Sequence, residues 1–218
     1  MEYCYYRGEK CKFCNFPVPV FALGHHKPLR EGKDEFSKKC MGFYKFGYSK
    51  SYFLERLVGL YNSRNDISFD IICLCPSSKK GEFNKYMEEL TVDFSKCINV
   101  PYKKILSRIK NTKKQHKLQT KEERVINIKN SFVVSKSLNG KNILVIDNLS
   151  TTGSTIQEVH KVIIHDHNAK NCVFLCLGLG PKGKYLDFDI NPTFKGKFSY
   201  IIKNWHWPKV PKEKRISK

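Results

Sequence analysis

The strongest constraint on the fold is a set of three short, almost unbroken apolar runs: Phe69 to Cys75 (FDIICLC), Asn142 to Ile146 (NILVI) and Cys172 to Leu177 (CVFLCL). A strand with one wet face alternates apolar and polar residues, whereas a strand covered on both faces has no polar set to show. The runs therefore predict strands buried on both sides. Amphipathic stretches lie between and before them. Glu82 to Ile98 carries Phe83, Tyr86, Met87, Leu90, Phe94 and Cys97 at spacings of three and four, and Ser154 to His165 sets Ile156, Val159, Val162 and Ile163 on one side. Tyr52 to Asn62 is a further predicted helix, through Phe53, Leu54, Leu57, Leu60 and Tyr61. Strands alternating with helices predict an α/β fold, a parallel sheet flanked by helices, whose ligands bind at the carboxyl ends of the strands.

The 218 residues suit one domain with appendages better than two full domains. Residues 1–50 are rich in cysteine, aromatics and glycine without a clear period, and are expected to form a small Cys-rich N-terminal module. Residues 51–200 make the α/β domain, and residues 201–218 a basic aromatic tail. No run approaches the roughly 18 apolar residues of a membrane span, and Met1 to Lys10 is polar and mixed in charge, unlike a signal peptide. A soluble cytoplasmic protein without a membrane partner is the expectation.

Lys and Arg number 40 against 20 Asp and Glu, a net charge of +20. Such an excess suits a polyanion, either nucleic acid or a phosphorylated small molecule, although a lysine-coated solvated surface would look the same. More than half of it sits in two segments. Pro101 to Asn130 has ten basic and two acidic residues, and Lys203 to Lys218 has six and one.

The most informative stretch is Ile143 to Thr155, ILVIDNLSTTGST. A buried strand delivers Asp147, and a Ser/Thr/Gly turn then opens a helix. The turn offers a phosphate its backbone N–H groups, the hydroxyls of Thr151, Thr152, Ser154 and Thr155, and the positive end of the helix dipole, with Gly153 permitting close approach. Neither a Walker pattern nor G-x-G-x-x-G is present. An ordinary capped strand-to-helix turn would share these residue types.

At this point the residues resemble a known family. Four apolar residues, an acid, a short spacer and T-T-G-S-T are similar to the phosphoribosyl-pyrophosphate (PRPP) signature of type I phosphoribosyltransferases. Arg108, Thr112, Gln115, Leu118, Arg124, Asn127 and Phe132 reproduce the R-x3-T-x2-Q-x2-L-x5-R-x2-N-x4-F spacing of the ComF (competence protein F) branch. Glu82-Phe83-Asn84 resembles that branch's GFN segment, and Tyr44-Lys45-Phe46-Gly47 its KF-x-G element. The similarity covers about residues 40–178. It implies a PRPP-binding domain whose Mg²⁺ is carried by the ligand. Asp147 matches the acid that binds the ribose hydroxyls, with Asn148 beside it, and Thr151, Thr152, Gly153, Ser154 and Thr155 match the loop for the 5-phosphate. The Cys75 to Lys79 loop, with Ser77, Ser78 and Lys79, matches the pyrophosphate loop, with Lys79 or Lys80 as counter-charge. Arg108 to Lys117 falls on the mobile loop that closes over the leaving group, which makes Arg108 and Asp147 the expected catalytic residues. Asn148 departs from the two adjacent acids usual in the superfamily.

Cys4, Cys11 and Cys14 give C-x6-C-x2-C, and Cys40 follows. Four sulfur ligands would suit Zn²⁺, and ComF proteins often carry an N-terminal zinc knuckle; four thiols in a reducing cell is the other reading. Cys73, Cys75, Cys97, Cys172 and Cys176 are expected to be core residues, and His160, His165 and His167 surface ones. Trp205, His206 and Trp207 among the lysines of the tail suit stacking on single-stranded DNA, or else an edge strand with a frayed end. Two functions follow from the resemblance: phosphoribosyl transfer from PRPP to an acceptor the sequence does not name, or a non-catalytic PRPP or nucleotide sensor acting with DNA or DNA-processing proteins. A zinc-dependent nucleic-acid binder with a vestigial sheet is the third.

Overall fold

The computed structural model describes residues 5–10, 17–27, 34–114, 117–180 and 198. The main sheet has the order β1 (Tyr5–Lys10), β2 (Pro17–Ala22), β7 (Asn171–Leu179), β6 (Asn142–Ser150), β3 (Ile71–Leu74). Strands β2, β7, β6 and β3 run parallel to one another, and β1 is antiparallel to β2. A two-stranded antiparallel ribbon, β4 (Leu106–Arg108) with β5 (Phe132–Val134), pairs Arg108 opposite Phe132.

Side chains alternate across a strand, so each apolar run feeds two cores. Leu144 and Ile146 of β6, Val173, Leu175 and Leu177 of β7, and Ile72 and Leu74 of β3 pack on one face with α1 (Glu35–Phe46), α2 (Lys50–Arg64) and α3 (Lys85–Ile98). Ile143 and Val145, Cys172, Phe174 and Cys176, and Ile71 and Cys73 pack on the other, with Ile156 and Val159 of α5 (Ser154–His160) and Ile128 of α4 (Lys121–Ile128). The continuous runs thus mark a sheet covered on both faces, as expected. Helix α5 continues as a π-helical segment, Lys161–Asp166.

The expected boundary at residue 50 falls inside the core. Phe21 and Leu23 from the β2 segment and Cys40 and Phe43 of α1 share one cluster with Phe53, Leu57 and Leu60 of α2. Two features hide these elements in the sequence. Prolines 17 and 19 interrupt the β2 pattern, yet pairing to β7 begins only at Val20, beyond both. Helix α1 buries Ser37, Cys40 and Phe43, so two of its three inward positions are small or polar.

Gly47 of the KF-x-G element ends α1. Its φ is 78°, its N–H donates to the Phe43 carbonyl, and a Cβ there would lie 2.6 Å from the Tyr86 ring. Gly47→Ala is expected to destabilise the fold by roughly 1–2 kcal/mol through left-handed backbone strain and the Tyr86 clash. Urea unfolding would measure this, and a parent-like midpoint would contradict it.

Beyond Gly180, only Phe198 is described. It is fully buried, 4.8 Å from the Phe21 ring and 5.9 Å from Phe69, and so continues the core. The tail expectations for Lys203 to Lys218 lie outside the described residues.

Candidate functional site

A cavity of about 420 Å³ opens at the carboxyl ends of β3 and β6. Three separate stretches meet there: Ser77 and Ser78 after β3, Asp147 and Asn148 near the end of β6, and Thr151 and Thr155 around the start of α5. The expected strand Asn142 to Ile146 is longer than its apolar run, and Asp147 to Ser150 still belong to β6. Asp147 is therefore held by sheet pairing, in register with Cys176. It is 9% exposed, and its Oδ1 accepts the Asn148 N–H at 2.8 Å. Burial pushes its pKa up to about 7, against the opposing pulls of that hydrogen bond and of Arg108. Asn148 turns its own Oδ1 to the Leu149 N–H, at 2.7 Å.

The turn after β6 has Gly153 at φ 73° immediately before α5, and the Thr152 and Ser154 hydroxyls lie 3.0 Å apart. Thr151 and Thr155 face the cavity, whereas Thr152, Gly153 and Ser154 do not line it.

Arg108 departs from expectation. It was expected on a mobile loop, but it lies in β4, 4% exposed. Its Nε donates to the Ser77 carbonyl, its Nη1 to the Ser131 hydroxyl at 3.0 Å, and its guanidinium stacks 4.2 Å from the Phe132 ring centre. The residues that follow are fastened as well. Thr112 N and Oγ1 both donate to the Ser78 carbonyl, Lys80 N to Asn111 Oδ1, and Gly81 N to the Arg108 carbonyl. Asn127 accepts from Lys113 N and donates to Lys113 O, while Arg124 donates twice to the Leu118 carbonyl. Apart from Gln115, which lies outside the described residues, the spaced motif thus bonds to itself and to the pyrophosphate-loop candidate. Sequence spacing alone carries no sign of which way these side chains point.

Lys79 is placed elsewhere than its expected role requires. Its ammonium pairs with Glu82 at 3.4 Å on the surface, and neither Lys79 nor Lys80 lines the cavity. Among the described residues, the cations on the wall are Arg108, Lys114 and Lys45. Lys45 belongs to the KF-x-G element, which was the available signal. That element is tied to the site by Asn84, which caps α3 through Met87 N and donates its amide to the Tyr44 carbonyl at 3.0 Å.

Among the expected zinc ligands, Cys4, Cys11 and Cys14 lie outside the described residues. Cys40 is on α1, 3% exposed, and burial pushes its thiol up to about 12. Among the described residues no group of three or more His, Cys, Asp or Glu could hold a metal ion. Two further expectations are corrected. Cys97 is exposed and Cys75 half-buried on the cavity wall, whereas Cys73, Cys172 and Cys176 are buried in the core. His160 is 2% exposed, and burial lowers its pKa to about 3, so it is a neutral interior residue rather than a surface one.

No family model matches the chain, and no curated protein matches it. Among solved structures it is similar to a purine phosphoribosyltransferase from Pyrococcus horikoshii Ot3, at 15% identity and a TM-score of 0.40, over 62% of this chain and 76% of that one. It is also similar to a structure described as the allosteric regulatory enzyme of purine biosynthesis, at 11% identity and a TM-score of 0.43. That match covers 63% of this chain and 30% of the other, so this chain spans under a third of that enzyme's length.

Proposed function

We propose that this chain is a ComF-like protein of the type I phosphoribosyltransferase fold that binds PRPP with Mg²⁺ and transfers its phosphoribosyl group with release of pyrophosphate. The observation that carries this reading is the meeting of a buried carboxylate, the threonines Thr151 and Thr155 around the start of α5, and a cation-anchored serine loop in one cavity of about 420 Å³. Transfer forms a bond from an acceptor nitrogen's lone pair to ribose C1 and breaks the C1–O bond to pyrophosphate. The bond pair leaves with pyrophosphate, and the acceptor's proton passes to solvent. Positive charge builds on the ribose and negative charge on the leaving group, so the protein's contribution is positioning and electrostatics. Asp147 sits under the developing positive charge. Ser77 and Ser78, with Arg108 and Lys114, meet the developing negative charge, and Thr151 and Thr155 hold the 5-phosphate.

Asp147 is the one carboxylate on the described cavity wall, set among hydroxyls. That donor set is too sparse to cage a resident ion, but it suits Mg²⁺ that arrives on the oxygens of PRPP and needs only a nearby negative charge. When bound, the ion neutralises the pyrophosphate oxygens. Zn²⁺ at Cys4, Cys11, Cys14 and Cys40 is a separate proposal and enters no step. Among the described residues no helix is long and apolar enough to cross a membrane, and a cytoplasmic location accords with a phosphorylated substrate.

A second reading is favoured by Asn148, a neutral residue whose side-chain oxygen is already engaged by the Leu149 N–H. The site would then bind PRPP or a nucleotide without turnover, and the basic surfaces would engage single-stranded DNA or DNA-processing proteins.

Titration calorimetry with Mg·PRPP tests binding, and pyrophosphate release across purine, pyrimidine and other acceptors tests transfer. Thr155→Glu, which turns a negative charge into the cavity, is expected to weaken Mg·PRPP at least tenfold; an unchanged affinity would sink the reading. Asn148→Asp is expected to raise any slow turnover by returning the second acid. Binding without pyrophosphate release in either protein would favour the sensor.

A further inference from the structure

Glu158 is 5% exposed and does not line the cavity, yet it is tied to the cavity's framework. A carboxylate taken out of water is costly unless hydrogen bonds replace its hydration. Glu158 Oε1 accepts the Asn130 N–H at 2.7 Å. Lys161, in the π-helical segment that continues α5, stands 3.8 Å from the same oxygen and donates to Asn130 Oδ1 at 3.1 Å, which closes a ring of three residues. Asn130 lies between α4 and β5 with φ at 52°, a left-handed conformation that costs every residue but glycine, asparagine least. Bonds from Glu158 and Lys161 therefore set where the chain enters β5.

From Asn130 the connection runs inward. Ser131 is fully buried, its hydroxyl accepts Arg108 Nη1 at 3.0 Å, and Arg108 Nε donates to the Ser77 carbonyl. At its other end Glu158 belongs to α5, whose first turn carries Thr155. Pairing of β3 with β6 fixes the inner ends of the serine loop and of the threonine turn. The contacts from Glu158 through Asn130, Ser131 and Arg108 to Ser77 make a second connection between them, through the ribbon and α5.

We propose that Glu158 is a positioning residue: by holding Asn130 it sets the spacing between Ser77 and Ser78 at the pyrophosphate end of the cavity and Thr151 and Thr155 at the 5-phosphate end. This rests on the PRPP reading above. A ligand with a phosphate group at each end gains from both sites only when their separation matches its own, whereas a ligand that fills one site is indifferent to that separation.

The test is calorimetric titration of Mg·PRPP, and of Mg·pyrophosphate, which fills one end alone, into the full chain and its variants. Glu158→Met keeps the side chain's bulk and gives up the acceptor, whereas Glu158→Gln keeps an oxygen for the Asn130 N–H. Glu158→Met is expected to weaken Mg·PRPP at least tenfold and Mg·pyrophosphate less than threefold, and Glu158→Gln to stay within threefold of the parent for both. Ser131→Ala, which cuts the brace at Arg108, should give the same split, and it replaces Glu158→Met if that variant fails to fold by circular dichroism. Four results would each overturn the brace and leave the PRPP reading standing: an Mg·PRPP affinity that Glu158→Met does not alter, a loss no larger for Mg·PRPP than for Mg·pyrophosphate, a Glu158→Gln variant as impaired as Glu158→Met, or a parent that binds Mg·PRPP but not Mg·pyrophosphate. A parent that does not bind Mg·PRPP would overturn both.

Discussion

Asp147→Asn is expected to unfold at a higher temperature than the parent protein at pH 8 while losing Mg·PRPP affinity at least a hundredfold. Both effects come from burying a carboxyl group. Its pKa is raised by desolvation from 3.8 to about 7, so the folded protein prefers it protonated and the unfolded chain prefers it ionised. The resulting penalty is absent below the unfolded value, grows between about pH 4 and pH 7, and is complete above. Over that gap it reaches at most roughly 4 kcal/mol. Asparagine has no charge to desolvate, and its Oδ1 can still accept the Asn148 N–H that Asp147 receives at 2.8 Å. The stability gain should therefore be large at pH 8 and nearly gone at pH 4. Ligand binding runs the other way, because the ribose hydroxyls that would donate to Asp147 and the Mg²⁺ on PRPP both favour the ionised form. Parental affinity should fall as pH drops below about 7, and more steeply than the variant's, whose weak binding follows only the titration of the ligand's own phosphates, about pH 6. Thermal melts and calorimetry at pH 5, 6.5 and 8 check both; a variant no more stable than the parent at pH 8 would show that Asp147 carries no burial penalty.

The three double-faced strands were legible because a sheet covered on both sides leaves no polar parity, and β3, β6 and β7 divide their residues cleanly between the two cores. The position of Asp147 and the turn after it was legible for a related reason, since a carboxyl and clustered hydroxyls directly after an apolar run mark where β6 leaves the core and α5 begins. Strand β2 was hidden because its prolines precede the residues that pair with β7. Charge position was the least legible property. A lysine's sequence neighbours do not say whether it reaches inward, and Lys79 finds Glu82 three residues on, while Lys45 and Lys114 take the cavity wall. Asn127 shows the same limit: it bonds both backbone polar groups of Lys113, fourteen residues away, a partner that only the folded ribbon brings near.

Arg108→Met is the second large effect, expected to destabilise the fold by about 2–4 kcal/mol and to weaken Mg·PRPP by at least tenfold. The guanidinium joins the Ser77 carbonyl, the Ser131 hydroxyl and the Phe132 ring. Removing it strands the buried Ser131 hydroxyl and the half-buried Ser77 carbonyl and cuts one of the ties between the ribbon and the serine loop, leaving those of Thr112 to Ser78. Methionine can refill the volume against Phe132 but cannot donate to either oxygen. The loop at residues 77–82 would then keep Ser77 N to Glu82 O and lose its anchor to β4 at Ser77, although Gly81 N to Arg108 O remains. Arg108→Lys separates the two ways in which this residue could matter. A lysine restores the positive charge but has no planar fork to span Ser77 and Ser131. If Arg108 acts by positioning the loop, Arg108→Lys behaves like Arg108→Met, with faster amide exchange across residues 77–82 and the same loss of affinity. Lysine restoring parental affinity would instead mean that charge beside the pyrophosphate is what counts, and the self-bonded motif from Arg108 to Phe132 would then be support for a cation rather than a frame for the loop.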